Sequence, residues 1–214
     1  MTRLLFIAAT LLNSAAFAQS VVWDTTFAVK SAEFQIIAGR DQNEDVYSHL
    51  IKNQSDTTTV IGAAGGIEVR DFNLDGYSDV FFSYLGNVLV YDLFLFDDQQ
   101  ESFRKVDGFE NVSYSKPVDG HSDIYYSYQR AGCADANWIS WLFEIRDYKV
   151  HELGEIEGNG CESGGQSQGI TVYKIVTLDK IFPIDNFPID TIEGYDEYKW
   201  GFIADYWKNN LGKF

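Results

Sequence analysis

Basic residues are scarce in this chain. It carries 16 Lys and Arg against 32 Asp and Glu, a formal net charge of −16. It therefore lacks the cationic surface with which proteins neutralise the phosphates of nucleic acid or anionic lipid. Neither is expected as a partner, whereas cations and a basic protein are drawn to such a surface. Histidine is limited to His49, His121 and His151, none of them in a zinc pattern such as H-E-x-x-H. Cysteine occurs twice, at Cys133 and Cys161, with no C-x-x-C pair, which excludes a dithiol redox motif. Proline occurs three times, and no stretch has the Pro- and Ser-rich composition of a disordered linker. One apolar run, Leu4 to Leu12, stands out, and it is too short to cross a bilayer about 30 Å thick.

That run is flanked by Arg3 and by Ala16-Phe17-Ala18 ahead of Gln19, the order of a secretory signal peptide with an A-x-A cleavage site. Residues 1–18 are read as a removable leader and 19–214 as one domain, large enough to bury a core. A lipoprotein carries a Cys just after its leader, whereas the first cysteine here is Cys133, so no lipid anchor is expected. The mature protein is expected in the periplasm or outside the cell. An oxidising compartment makes a Cys133 to Cys161 disulfide the expected use of the two thiols.

Period-2 alternation and β-branched or aromatic runs dominate from Val21 to about Thr177, broken by Gly, Asn and Asp clusters. Many short strands at this spacing predict a sandwich, barrel or propeller. Val88 to Phe96 and Ser102 to Val106 flank the polar turn 97–100 and read as a hairpin. Ile124 to Arg130 reads as one strand. Tyr198 to Leu211 spaces Phe202, Ile203, Tyr206, Trp207 and Leu211 at helical intervals, predicting a short amphipathic helix on the sheet. The tandem Phe182-Pro183-Ile184-Asp185 and Phe187-Pro188-Ile189-Asp190 reads as an extended connecting arm, because proline restricts the residue before it.

The most informative stretch is Asp71-Phe72-Asn73-Leu74-Asp75-Gly76-Tyr77-Ser78-Asp79. Oxygen donors at Asp71, Asn73 and Asp75, a sharp turn at Gly76, the Tyr77 carbonyl and a further carboxylate at Asp79 together match the wrapping of a hard cation, and the charge favours Ca²⁺ over Mg²⁺. Phe82 stands where an EF-hand places its bidentate Glu, and the flanks are strand sequences, so the loop joins two strands. Asp119-Gly120-His121-Ser122-Asp123 and Asp41, Asn43, Asp45 repeat parts of the motif without a full ligand set. They read as turns and as traces of a repeated strand-turn-strand unit. The aromatic cluster Tyr125, Tyr126, Tyr128, Trp138 and Trp141 is divided by strand alternation into core residues and candidate contact residues.

The stretch Ile67 to Phe96, with Phe103, resembles the FG-GAP/VCBS type of calcium hairpin. More narrowly it is similar to small exported proteins on a compact β-propeller that act as lysozyme inhibitors or as immunity proteins against peptidoglycan hydrolases. The resemblance implies a propeller-like array of antiparallel hairpins and a structural Ca²⁺. It also implies a basic, lysozyme-type cell-wall hydrolase as partner, and a protein that inhibits this enzyme rather than being one. The alternative it leaves open is a calcium-dependent adhesion or glycan-binding module.

Overall fold

The computed structural model describes residues 20–40, 46–52, 56–61, 66–84, 90–161, 167–177 and 179–214. It is mostly β, with antiparallel sheets and one α-helix near the C-terminus. No described helix is long and apolar enough to cross a membrane. The expected leader at 1–18 lies outside the described residues. The chain divides into two compact units, Met1–Ala63 and Ala64–Phe214, each taken by itself.

The first unit is a meander of four strands, β1 (Ser20–Val29), β2 (Ala32–Arg40), β3 (Val46–Lys52) and β4 (Asp56–Ile61), paired in sequence order. A tight turn joins Val29 to Ala32, with Lys30 at φ 56°. Along β2 the pleat sends Phe34, Ile36 and Ala38 inward while Glu33 stays exposed, the alternation expected of a strand with one buried face. Phe27 stacks on Phe34 directly across the ladder, ring centroids 5.8 Å apart.

The second unit opens with another meander, β5 (Gly66–Arg70), β6 (Asp79–Tyr84), β7 (Val90–Asp97) and β8 (Ser102–Lys105). The expected hairpin is present: Asp97 Oδ1 accepts the N–H groups of Gln99 and Gln100 at 3.0 Å and fixes the turn. A larger sheet follows, made of β9 (Ser115–Pro117), β10 (Ile124–Ser127), β11 (Gln129–Arg130), β12 (Asn137–Arg146), β13 (Lys149–Asn159), β14 (Gly169–Thr177) and β15 (Lys180–Phe187). Its order is β15-β14-β13-β12-β10-β9, with β11 also on β12. No strand pairing among the described residues closes the sheets into a ring.

Two sequence expectations change here. The run 124–130 is two strands: between them the Trp141 N–H of β12 turns to the Ser127 hydroxyl at 3.2 Å, while the Tyr128 N–H continues toward the β9 side, on the Tyr114 carbonyl at 3.1 Å. The supposed connecting arm is an edge strand over Lys180–Phe187, paired with β14. Pro183 is tolerated there because the outer side of an edge strand needs no donor.

The helix α1 (Lys199–Asn210) buries Phe202, Ile203, Tyr206 and Trp207 in one cluster with Trp138, Leu142, Ile156 and Val172 of the large sheet. Trp207 is fully buried and its Nε1 donates to the buried Ser140 hydroxyl at 2.9 Å, so the indole fills the core and leaves no polar atom unpaired. Cys133 and Cys161 are bonded as expected, 28 residues apart, and closing a loop of that length stabilises the fold by about 3 to 4 kcal/mol on the chain-entropy account.

Across β12 and β13, Trp138 lies opposite Gly158 with its ring over the glycine. A Cβ at Gly158 would sit 2.1 Å from Trp138 Cε2. Gly158→Ala is therefore expected to cost about 1–3 kcal/mol through overpacking. Gly212→Ala, whose Cβ meets nothing within 4 Å, should stay within about 0.5 kcal/mol. Urea denaturation of both variants checks the difference.

Candidate metal centre

The loop between β5 and β6 reverses the chain with two left-handed residues, Leu74 at φ 59° and Gly76 at φ 90°. Gly76 takes this conformation at no steric cost, while Leu74 pays for it and stands 62 % exposed at the tip. Between these bends the side-chain oxygens turn onto the loop's own amides. Asp71 accepts the N–H groups of Asp75 at 3.2 Å and Gly76 at 3.0 Å. Asn73 Oδ1 also faces the Asp75 N–H at 3.3 Å, and Asp75 Oδ1 accepts the Tyr77 N–H at 2.8 Å. Asn73 Nδ2 donates to the other Asp75 oxygen at 2.8 Å.

Two anchors hold this loop. Phe72 is buried, stacked on Tyr125 at 4.8 Å and edge-on to Phe109 at 5.4 Å and Phe81 at 5.6 Å. Asp79 is fully buried, and its two oxygens accept the Phe72 N–H at 2.8 Å and the Phe96 N–H at 3.0 Å. It ties both ends of the loop to the neighbouring strand β7. Burial pushes the Asp79 carboxyl up to about 7, against the pull of those N–H groups and with Asp75 adding repulsion.

The structure thus brings Asp71, Asn73 and Asp75 together and sets Asp79 behind them. Among the described residues no group of three or more His, Cys, Asp or Glu side chains is gathered as a metal cluster. The expected ligand set also counts the Asn73 amide oxygen and the Tyr77 carbonyl, and this oxygen-only donor chemistry fits a hard divalent cation.

The partial copies differ. Gly120 repeats the left-handed bend at φ 85°, but Asp119 is exposed and ion-paired with Lys208. Asp41, Asn43 and Asp45 lie outside the described residues. Of the aromatic cluster, Tyr125, Tyr126 and Trp138 are buried, and Tyr128 and Trp141 are half-buried. One pattern goes beyond the sequence reading above: Gly165-Gln166-Ser167-Gln168-Gly169 spells G-x-S-x-G. A nucleophile elbow needs a strand-to-helix turn, whereas the last residue of the pattern, Gly169, opens strand β14.

No protein-family model and no curated protein matches this chain. Among solved structures, a Xanthomonas type IV secretion system related protein superposes with a TM-score of 0.50 at 10% identity, over 76% of this chain and 93% of that one. A Pyrococcus horikoshii acylaminoacyl peptidase superposes with a TM-score of 0.32 at 8% identity, over 77% of this chain and 33% of that one, an overlap too loose to argue from. The first likeness is one of fold. The disulfide and the likeness to a secretion-related protein are compatible with an exported protein.

Asp79→Asn keeps an acceptor for one of the two buried N–H groups and aims a donor at the other. It should cost about 1–3 kcal/mol, and Phe72→Ala about 3–5 kcal/mol. Leu74→Ala, at the exposed tip, should change stability by less than about 0.5 kcal/mol. Chemical denaturation of the three variants tests whether the loop is an anchored part of the core.

Proposed function

We propose that this chain is an exported calcium-binding protein that inhibits, or gives immunity to, a peptidoglycan-degrading enzyme of the lysozyme type. The observation that carries the reading is the loop at 71–79. Its all-oxygen donors are held between two antiparallel strands by Phe72 and Asp79, the local architecture of the calcium hairpin that the sequence resembles. In the proposed site Asp71, Asn73, Asp75, the Tyr77 carbonyl and Asp79 hold Ca²⁺, which braces the loop rather than taking part in chemistry. The protein acts by binding, in the periplasm or outside the cell, on a propeller-like arrangement of its hairpins.

Charge supports a basic partner. Besides the net −16, β13 lines up Glu155 and Glu157 on one face. Burial first, and then repulsion from Glu157 and Glu152, push the Glu155 carboxyl up. A basic surface laid on these carboxylates relieves that repulsion. The neighbour's relation to a type IV secretion system is compatible with an exported protein.

Three outcomes are expected. In calorimetry Asp71→Asn or Asp75→Asn abolishes Ca²⁺ binding. For a Kd one hundredth of the free Ca²⁺, chelation removes about 2.7 kcal/mol, and the melting temperature falls by roughly 5–10 °C. Purified protein lowers the muramidase activity of its cognate enzyme, with salt slowing association. Failure to inhibit every lysozyme-type enzyme tried, including any encoded beside it, rejects the role.

The sign of the Glu155 shift gives a pH test. The unfolded chain loses this proton first, so the folded state is penalised as pH rises from the ordinary glutamate range into the raised one. Glu155→Gln should stabilise the protein at neutral pH, flatten that part of the stability profile, and weaken inhibition. A profile unchanged from wild type would count against a strained carboxylate at this place.

A further inference from the structure

A cleft of about 310 Å³ opens within the second unit, with none of the residues 71–79 in its lining. Its walls come from distant segments: Tyr91 of β7, Tyr114 and Lys116 at β9, Tyr128 between β10 and β11, and Trp200 of α1. The rings are arranged as two pairs, Tyr91 edge-on to Tyr114 at 5.9 Å and Tyr128 tilted against Trp200 at 5.3 Å. Core aromatics in this protein are almost completely covered, yet here Tyr114 is 49% and Trp200 45% exposed. Water covers ring surface that a ligand could cover instead.

Polar groups edge these rings. Arg70 and Glu68 form an ion pair at 2.8 Å on one wall, with the Arg70 guanidinium 4.4 Å over the Phe81 ring. Lys116 has no carboxylate partner among the described residues, and its ammonium lies 5.3 Å from the Tyr126 ring centre. Lys116 and Tyr126 also line a second hollow of about 770 Å³, which runs beside α1 to Lys208 and reaches Leu74. The two hollows therefore meet at a lone ammonium.

We propose that this cleft binds a short saccharide carrying a carboxylate, with its rings stacked on Trp200 and Tyr114 and the carboxylate at Lys116. Sugar rings present flat C–H faces that suit aromatic faces, while their hydroxyls pair with flanking charged groups such as Arg70 and Glu68. A purely apolar ligand would leave those groups unpaired. A polyphosphate or nucleic acid would meet the repulsion of a net charge of −16, whereas one carboxylate is matched by one ammonium. The cleft volume lies at the low end for small-molecule sites, enough for one or two rings, and the adjoining hollow gives room for a longer chain. The site is independent of hydrolase inhibition.

The test is calorimetric titration of the full-length protein with the acidic disaccharide N-acetylglucosaminyl-N-acetylmuramic acid and with its neutral analogue chitobiose. The acidic sugar should bind about fivefold more tightly, a difference lost in Lys116→Gln and diminished by salt. Trp200→Ala and Tyr114→Ala should each weaken both sugars roughly tenfold. All three side chains are exposed, and unchanged melting curves verify that the variants fold. Bound sugar should also shield wild-type tryptophan fluorescence from acrylamide. Absence of binding by either sugar at about 10 mM, far weaker than a millimolar site, or binding indifferent to Trp200→Ala and Tyr114→Ala, overturns the proposal. Shielding of Trp200 by a hydrolase without any sugar affinity also overturns it, and assigns the cleft to a protein partner. Because no enzyme is present in the titration, its failure leaves the inhibition assay unaffected.

Discussion

Asp79 and Phe72 act as a pair. The carboxylate is wholly buried and each of its oxygens takes a backbone N–H, one from Phe72 at the start of the loop and one from Phe96 on the neighbouring strand. A buried carboxyl is costly unless it is so satisfied. The loop that carries the proposed metal donors is fixed by this arrangement: Phe72 cannot leave the cluster of Phe81, Phe109 and Tyr125 without stripping the carboxyl of a partner. The donors Asp71, Asn73 and Asp75 then need only turn outward on a frame already rigid, which is how pre-organisation lowers the entropy lost on binding.

The same logic runs through the large sheet. Trp207 brings a polar nitrogen into the core and finds Ser140 there, and Trp138 needs the bare backbone of Gly158 opposite it. Helix α1 is held from its first turn by Lys199, which reaches the Asp135 carboxylate at 2.9 Å and its carbonyl at 2.6 Å. Asp135 lies in the tight turn that starts at Cys133, where the disulfide anchors the chain to the end of β13. The C-terminal helix and the disulfide loop therefore share one electrostatic joint.

Cationic side chains are few, and several lie against rings rather than free in solvent. Arg104 is 3.7 Å from the Tyr148 ring centre, and Lys199 lies 4.8 Å from that of Trp200. Each sets its charged head against an aromatic ring while keeping it near a carboxylate, Asp97 for Arg104 and Asp135 for Lys199. Acidic residues outnumber basic ones two to one, 32 against 16, and the basic partner proposed above rests on that imbalance.

Strand content, the hairpin around 97–100, the terminal helix, the disulfide pairing and the bend at Gly76 were all legible in the sequence. Each is set by neighbours within a few residues, or by the simple scarcity of cysteine, so local periodicity and turn chemistry suffice. Strand β9 is three residues ending in proline and carries no periodic signal. Strand β15 holds Pro183, and only the presence of β14 beside it makes the segment a strand. The staple role of Asp79 and the aromatic cleft were equally hidden, because Phe96, Tyr91, Tyr114 and Trp200 approach their partners through chain reversals that no local pattern encodes. What the sequence alone determined is the chemistry of one loop and the sign of the surface charge; which side chains that loop leans on, and which rings are left facing water, was decided by long-range packing, since burial is a property of the assembled sheets and not of any single segment.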